Sequence, residues 1–138
     1  CIGEVSEERK RLVETCKAAV EAGLAAVKPW AHLGDVSAAV NKVATDAGFS
    51  VVAEYGGHGI GKEFHEDPFV SFVEEAGTGP IMAPGMCFTI EPMVNAGEAT
   101  ITTDEDNGWI VRTADGSDSA QWEVQLVVTE TGYELLSW

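Results

Sequence analysis

Basic residues, cysteines and long apolar runs are all scarce in this chain of 138 residues. Its 8 lysines and arginines stand against 23 aspartates and glutamates, which gives a net charge of −15. Nucleic acids and anionic membranes are bound through lysine and arginine, so the composition argues against both as partners. No apolar stretch approaches the roughly 18 residues of a membrane span, and the acidic start lacks the basic-then-apolar order of a signal peptide.

The three cysteines, Cys1, Cys16 and Cys87, are too few for a disulfide framework and form no CxxC pattern. Such sparse use fits a reducing compartment, and we expect a cytoplasmic protein. The composition is otherwise ordinary, with 45% hydrophobic and 22% charged residues, which is typical of one globular domain. The acidity favours solubility, and it also suits divalent cations and substrates that carry an ammonium group.

Apolar spacing divides the chain into two helices followed by short strands. Residues 6–27 and 33–47 carry apolar residues at helical spacing, with Ser6 as an N-cap and Gly48 as a C-terminal cap. After a strand at 49–54 and a Gly-rich loop at 56–61, the pattern predicts strands at 86–94, 99–103, 109–113, 120–129 and 133–137. This order, without an internal repeat, predicts a single α+β domain with largely antiparallel strands.

Two glutamates interrupt the apolar pattern of the strands in which they lie. Glu91 occurs in CFTIEPMV at residues 87–94, and Glu123 in AQWEVQLVV at residues 120–128. A buried, unpaired carboxylate is costly, so each glutamate needs a cation or hydrogen-bond donors. Only Lys62 and Arg112 are basic beyond residue 42. A metal ion is therefore a better partner than a buried ion pair.

Two histidines lie close together in the sequence, on either side of glycines. His58 lies in GGHGIG and His65 in FHEDP, whereas His32 is expected only to cap a helix. Glycines let the backbone approach a ligand closely, and FHEDP lacks the second histidine of the helical zinc-protease motif. One imidazole and two carboxylates suit Mn, Fe, Co or Zn, and carboxylates can bridge two ions. The residues thus predict a hydrolase-like metal site built on strands.

Three motifs in order resemble those of the methionine aminopeptidases, and the type I bacterial form most closely. The motifs are YGGHGIG with FHEDP at residues 55–68, GMCFTIEPMV at residues 85–94, and SAQWE at residues 119–123. The resemblance runs through nearly the whole chain. It implies half of a pita-bread fold, with two helices packed on a mainly antiparallel sheet. It also implies metal-dependent removal of the N-terminal methionine from peptides and nascent chains.

The resemblance also implies roles for single residues. His58, Glu91 and Glu123 would be ligands of divalent Co, Mn, Fe or Zn, and Glu91 would double as a proton shuttle.

A second group of residues would face the substrate. His65 would be catalytic, because it would hydrogen-bond the substrate and the developing tetrahedral intermediate. Phe64 and Trp109 would line the pocket for the methionine side chain.

The sequence departs from the family pattern in two places. Val124-Gln125 stands where the family commonly has His-Thr, and no aspartate here corresponds to two ligands that the family draws from an N-terminal half. We therefore expect residues 1–138 to be a single C-terminal catalytic half-domain whose N-terminal half, its natural partner, is absent. Such a chain would hold at most one of the two ions of a complete enzyme and would be inactive alone.

Two other functions are compatible with parts of the pattern. A proline-specific peptidase of the same fold usually carries Glu-Pro-Gly, where this chain has Glu91-Pro92-Met93. A non-catalytic module that binds peptide or protein would not need the metal ligands that the chain retains.

Overall fold

Two helices precede ten short strands in the computed structural model, which describes residues 1–137. The helices are α1 (Glu7–Ala26) and α2 (Leu33–Asp46). The strands are β1 (Ser50–Val51), β2 (Gly57–Gly59), β3 (Glu66–Val70), β4 (Cys87–Ile90), β5 (Met93–Asn95), β6 (Ile101–Thr103), β7 (Val111–Thr113), β8 (Ser119–Gln121), β9 (Val124–Val128) and β10 (Tyr133–Ser137). The strands predicted at 49–54, 99–103 and 109–113 are thus shorter than expected, and Trp109 precedes β7.

Both helices form where their apolar spacing predicts them. The Ser6 hydroxyl accepts a hydrogen bond from the backbone N–H of Arg9 at 3.3 Å, as an N-cap does. His32 is the N-cap of α2, and its ring Nδ1 lies 2.8 Å from the carbonyl oxygen of Gly79. Gly48 follows α2 with a φ of 81°, a conformation that favours glycine. Neither helix of the described chain is long and apolar enough to cross a membrane.

Among residues 1–137 every strand pair of the sheets is antiparallel, which confirms the predicted α+β class. The larger sheet has the order β10-β9-β4-β2-β3, the smaller sheet has the order β1-β5-β8, and β6 pairs with β7. Alternate residues of β4 and β9 join the buried core with the helices: Phe88, Ile90, Val124, Leu126 and Val128. Because side chains alternate along a strand, the residues between them stand on the opposite, outer face of the larger sheet.

Each of the two long predicted strands, 86–94 and 120–129, is divided in the structure. Glu91 and Pro92 separate β4 from β5, and Trp122 and Glu123 separate β8 from β9. At this point the first segment passes from the larger sheet into the smaller one, and the second passes from the smaller sheet into the larger one. Pro92 has no backbone N–H and cannot continue the ladder, which is one physical reason for the break. We call this region, residues 91–92 with 122–123, the crossing.

The thiol of Cys16 packs against the crossing from α1. Its Sγ lies 3.6 Å from the carbonyl oxygen of Pro92 and 3.5 Å from that of Ala120. Burial raises the pKa of the Cys16 thiol to about 11, so the thiol stays neutral and can donate its hydrogen to these carbonyl groups. Cys16 is thus part of the buried core, and it ties α1 to both divided strands.

The segment predicted as a Gly-rich loop contains strand β2. Gly57 and Gly59 lie on either side of His58 in this strand, which pairs with β3 and with β4. A Cβ atom added at Gly57 would meet the backbone carbonyl oxygen of Thr89 on β4. Glycine therefore does not break the strand here; it lets two backbones approach more closely than a side chain would allow.

Replacing Gly57 tests this close approach. We expect Gly57→Ala to lower the free energy of unfolding by about 1–3 kcal/mol, because the added methyl group forces β2 and β4 apart. Chemical denaturation of both proteins measures the difference. Gly132→Ala is the matched control, since no atom lies within 4 Å of the Cβ position there. An equal loss of stability at the two positions would contradict the argument.

Candidate metal centre

Glu91 and Glu123 lie directly opposite each other at the crossing. The register on either side of the break is defined by two residue pairs: Ile90 with Val124, and Met93 with Gln121. Counting inward from both pairs places Glu91 across from Glu123. Directly opposite residues of antiparallel strands have Cβ atoms about 4.5–5.5 Å apart. The fold therefore brings together the two carboxylates that the sequence analysis singled out.

The two glutamates differ in their burial. The Glu91 side chain is 15% exposed, as expected, whereas Glu123 is exposed, and the prediction that both are buried is wrong for Glu123. Both glutamates stand on the face of the sheet that is turned away from the helices, and Glu91 is the less exposed of the two because it packs against Thr89, Gln121 and His58. Among the described residues, no lysine or arginine forms an ion pair with either glutamate.

The imidazole of His58 faces the buried carboxylate. His58 Nε2 lies 3.3 Å from Glu91 Oε1, and His58 Nδ1 lies 2.9 Å from the carbonyl oxygen of Gly59. Because a carbonyl can only accept, Nδ1 carries the hydrogen, and the lone pair of a neutral imidazole is on Nε2. That lone pair points toward a carboxylate oxygen. A shared positive charge, either a proton or a metal ion, would satisfy both atoms.

Two polar side chains that the sequence analysis did not single out hold the Glu91 carboxylate. The Thr89 hydroxyl donates to Glu91 Oε1 at 2.7 Å, and the Gln121 amide donates to Glu91 Oε2 at 3.2 Å. Each lies two residues before a glutamate of the crossing. Residues two apart in a strand share a face. A polar residue two positions before Glu91 or Glu123 is therefore the sequence signal that could have identified Thr89 and Gln121.

The environment of Glu91 favours its protonated form. Burial raises the pKa of Glu91 above its ordinary value, and the charge of Glu123 raises it further. The hydrogen bond from Thr89 and the nearby His58 and His65 act in the opposite direction. The carboxyl is therefore poised to hold a proton more readily than an exposed glutamate does.

His65 and Phe64 lie beside His58, while Trp109 lies elsewhere. The rings of His58 and His65 meet edge-on with centroids 4.3 Å apart, and those of Phe64 and His65 are 4.6 Å apart. An open groove beside them is lined by His58, His65, Glu66, Asp67 and Phe69. Phe64 is 74% exposed. Trp109 is 86% exposed on the β6–β7 loop and does not join this ring cluster in the described chain.

The donor atoms present fit a divalent cation in part. An imidazole nitrogen and a carboxylate oxygen face each other at His58 and Glu91, and this mixed N/O pair suits Mn, Fe, Co or Zn. Within residues 1–137, however, no group of three or more His, Cys, Asp or Glu side chains is arranged to hold an ion. Of the three predicted ligands, His58 and Glu91 are in direct contact, and the convergence of Glu123 on this pair stays a prediction.

Comparison with known proteins identifies the family. The model of metallopeptidase family M24 matches residues 1–130, and the chain belongs to that family. The methionine aminopeptidase from Haemophilus influenzae is 47% identical over 98% of this chain. The crystal structure of methionine aminopeptidase from Rickettsia prowazekii superposes on this chain with a TM-score of 0.94, at 41% identity over 96% of the chain. The chain also resembles the crystal structure of methionine aminopeptidase from Thermotoga maritima, with a TM-score of 0.94 and 39% identity over 98% of the chain.

These matches concern about half of each relative. The chain spans 50% of the Haemophilus influenzae protein, and 54% of both the Rickettsia prowazekii and the Thermotoga maritima structures. Its architecture is accordingly half of the pita-bread fold. The X-Pro aminopeptidase of Thermotoga maritima shares the fold at a TM-score of 0.71 with 24% identity, a weaker likeness than the methionine aminopeptidases show.

The raised pKa of Glu91 predicts how pH affects stability when no metal is present. The folded chain binds a proton at Glu91 more readily than the unfolded chain does. The resulting stabilisation is complete below the ordinary pKa of 4.5, and it is lost as pH rises through the higher folded-state pKa. We therefore expect the wild type to lose stability relative to Glu91→Gln across that interval.

Denaturation midpoints measured with a chelator between about pH 4 and about pH 8 check this expectation. Glu130→Gln serves as the control, since Glu130 is exposed between β9 and β10. A difference between wild type and Glu91→Gln that stays constant with pH would contradict the shift.

Proposed function

We propose that this chain supplies the catalytic half of a metal-dependent methionyl aminopeptidase, which removes the N-terminal methionine from peptides and nascent chains in the cytoplasm. The observation that carries the proposal is the crossing, where the fixed register sets Glu91 opposite Glu123 and where His58 faces Glu91. The likeness to methionine aminopeptidases over 96–98% of the chain supports it. Neither nucleic acid nor membrane is proposed as a partner.

The metal ligands in this proposal are His58, Glu91 and Glu123. They would hold a divalent Co, Mn, Fe or Zn ion, and the exposed Glu123 side chain is free to turn toward the ion once its charge is shared. When bound, the ion supplies Lewis acidity to the scissile carbonyl. The complete enzyme would hold two ions and this chain at most one, because its three ligands serve a single ion.

Proton transfer is the second role proposed for Glu91. Burial and the like charge of Glu123 raise its pKa, so its carboxyl can take up a proton during attack on the peptide bond and return it to the leaving amine. Thr89 and Gln121 occupy one position on each oxygen. A carboxylate has two lone-pair sites on each oxygen, so a further site stays open for the proton.

Substrate binding is assigned to the exposed aromatic residues and to His65. His65 lies beside His58, so its imidazole can donate a hydrogen bond to the substrate carbonyl and to the tetrahedral intermediate. Phe64 and Trp109 would contact the methionine thioether, a favourable partner for aromatic rings. The acidic chain, with a net charge of −15, attracts the ammonium group of the substrate.

Residues 1–138 on their own are expected to have negligible aminopeptidase activity. The described residues bring only two donors together, so an ion is held weakly and the nucleophilic water is poorly activated. Release of methionine from a Met-Ala-Ser peptide, with the chain saturated in Mn or Co, measures this. Turnover comparable to that of the Haemophilus influenzae methionine aminopeptidase would contradict it.

A chimera tests the proposed function itself. Residues 1–138 replace the matching half of the Haemophilus influenzae protein, and the folded, metal-loaded chimera is expected to release methionine from the same peptide. Glu91→Gln in the chimera is expected to abolish release, because it removes both a ligand and the proton acceptor. A folded, metal-loaded chimera that binds the peptide without cleaving it would instead favour a non-catalytic binding module.

His65 is expected to act on the substrate and not on the metal. In the chimera, His65→Ala should reduce turnover by roughly 10²-fold, the usual cost of a lost polar catalytic contact, while the bound metal content stays unchanged. His32→Ala is the matched control, because His32 lies at the start of α2 and bonds Gly79. Loss of metal from the His65 variant would show that His65 is a ligand.

A further inference from the structure

The hydroxyl of Thr89 lies between His58 and Glu91 of the candidate metal centre. Thr89 is fully buried. Its Oγ1 accepts a hydrogen bond from the backbone N–H of His58 at 2.9 Å and donates one to Glu91 Oε1 at 2.7 Å. A single buried hydroxyl thus connects strand β2 to the carboxylate that follows strand β4.

The direction of both hydrogen bonds is fixed by chemistry. The backbone N–H of His58 can only donate, so Thr89 Oγ1 must accept there. The one hydroxyl hydrogen is then available to Glu91, whose ionised carboxylate can only accept. While Glu91 is ionised these roles cannot be exchanged, and Glu91 Oε1 is held on the side where His58 Nε2 lies, 3.3 Å away.

The surroundings of Thr89 keep the hydroxyl in this position. A Cβ atom at Gly57 would lie 2.9 Å from Thr89 Oγ1, so the glycine lets β2 come within hydrogen-bonding range of the hydroxyl. On the other side, Gln121 holds Glu91 Oε2 at 3.2 Å. The carboxylate is thereby restrained at both oxygens, with the shorter and more buried restraint coming from Thr89.

We propose that Thr89 is a positioning residue, which sets the distance and orientation of Glu91 relative to His58 so that the pair can bind a divalent cation. The role rests on the proposed metal centre and extends it to a residue that touches neither substrate nor ion. Removing the hydroxyl frees the Glu91 carboxylate to rotate and leaves the His58 N–H without its partner, buried at the strand pair.

Metal affinity of the chain provides the first test. The probe is Mn²⁺ alone, titrated calorimetrically into wild type, Thr89→Val, Thr89→Ser and Ser37→Ala. Thr89→Val keeps the shape of the side chain and should weaken Mn²⁺ binding by roughly 10- to 100-fold, as loss of a group that orients a ligand typically does. Thr89→Ser keeps the hydroxyl and should retain wild-type affinity.

Ser37→Ala controls for the general cost of removing a buried hydroxyl. Ser37 is buried, and its Oγ accepts a hydrogen bond from the backbone N–H of Glu74 at 2.6 Å, on a different part of the fold. Its Mn²⁺ affinity should match that of the wild type. Equal affinities for Thr89→Val and Thr89→Ser would overturn the proposal.

A metal-free measurement separates this inference from the proposed function. In the apo chain, Thr89→Val should accelerate hydrogen exchange at the His58 amide and shift the ¹³C resonance of the Glu91 carboxyl, while Thr89→Ser and Ser37→Ala leave both unchanged. If the wild type takes up no Mn²⁺, the proposal that this chain alone holds an ion fails, and these two signals decide the role of Thr89. An unchanged carboxyl resonance in Thr89→Val would overturn that role.

Discussion

The constant register of two strand segments is the constraint on which the candidate site depends. Both segments pass between the larger and the smaller sheet at the same level, and the residue pairing has the same register on either side of the change. Glu91 and Glu123 oppose each other only because neither segment gains or loses a residue there. Pro92 and the Cys16 thiol act at the same point, the first by ending the ladder and the second by packing α1 against it.

This arrangement is electrostatically unfavourable without a cation. Like charges directly opposite on neighbouring strands are destabilising, and in the described chain no lysine or arginine pairs with either glutamate. A bound divalent ion would remove the repulsion, so binding and stability would be linked at this point. Burial, and to a smaller extent the charge of Glu123, raise the pKa of Glu91 in the metal-free chain, so a proton is an alternative source of positive charge there.

The sequence predicted those parts of the molecule that have a strong local signal. Both helices follow from apolar spacing, and His58 and Glu91 were recognised because a histidine among glycines and a charge within an apolar strand are unusual. Strand β2 was missed because glycine disfavours strands locally, whereas its pairing depends on the close approach of Thr89, 31 residues away. The exposure of Glu123 and the positions of Thr89 and Gln121 depend on strand pairing between distant segments, which spacing within one segment does not reveal.

The shared register has a consequence for how this part of the gene can vary in length. Side chains alternate along a strand, so inserting or deleting one residue in β9 would turn residues such as Val124 and Leu126 from the core to the outer face. An inserted residue between β8 and β9 would also break the register that sets Glu123 opposite Glu91. Substitutions can alter the core or the metal ligands separately, whereas a change of length in the segment from β8 to β9 affects both. We therefore expect the relatives to differ in this segment in residue type and not in residue number.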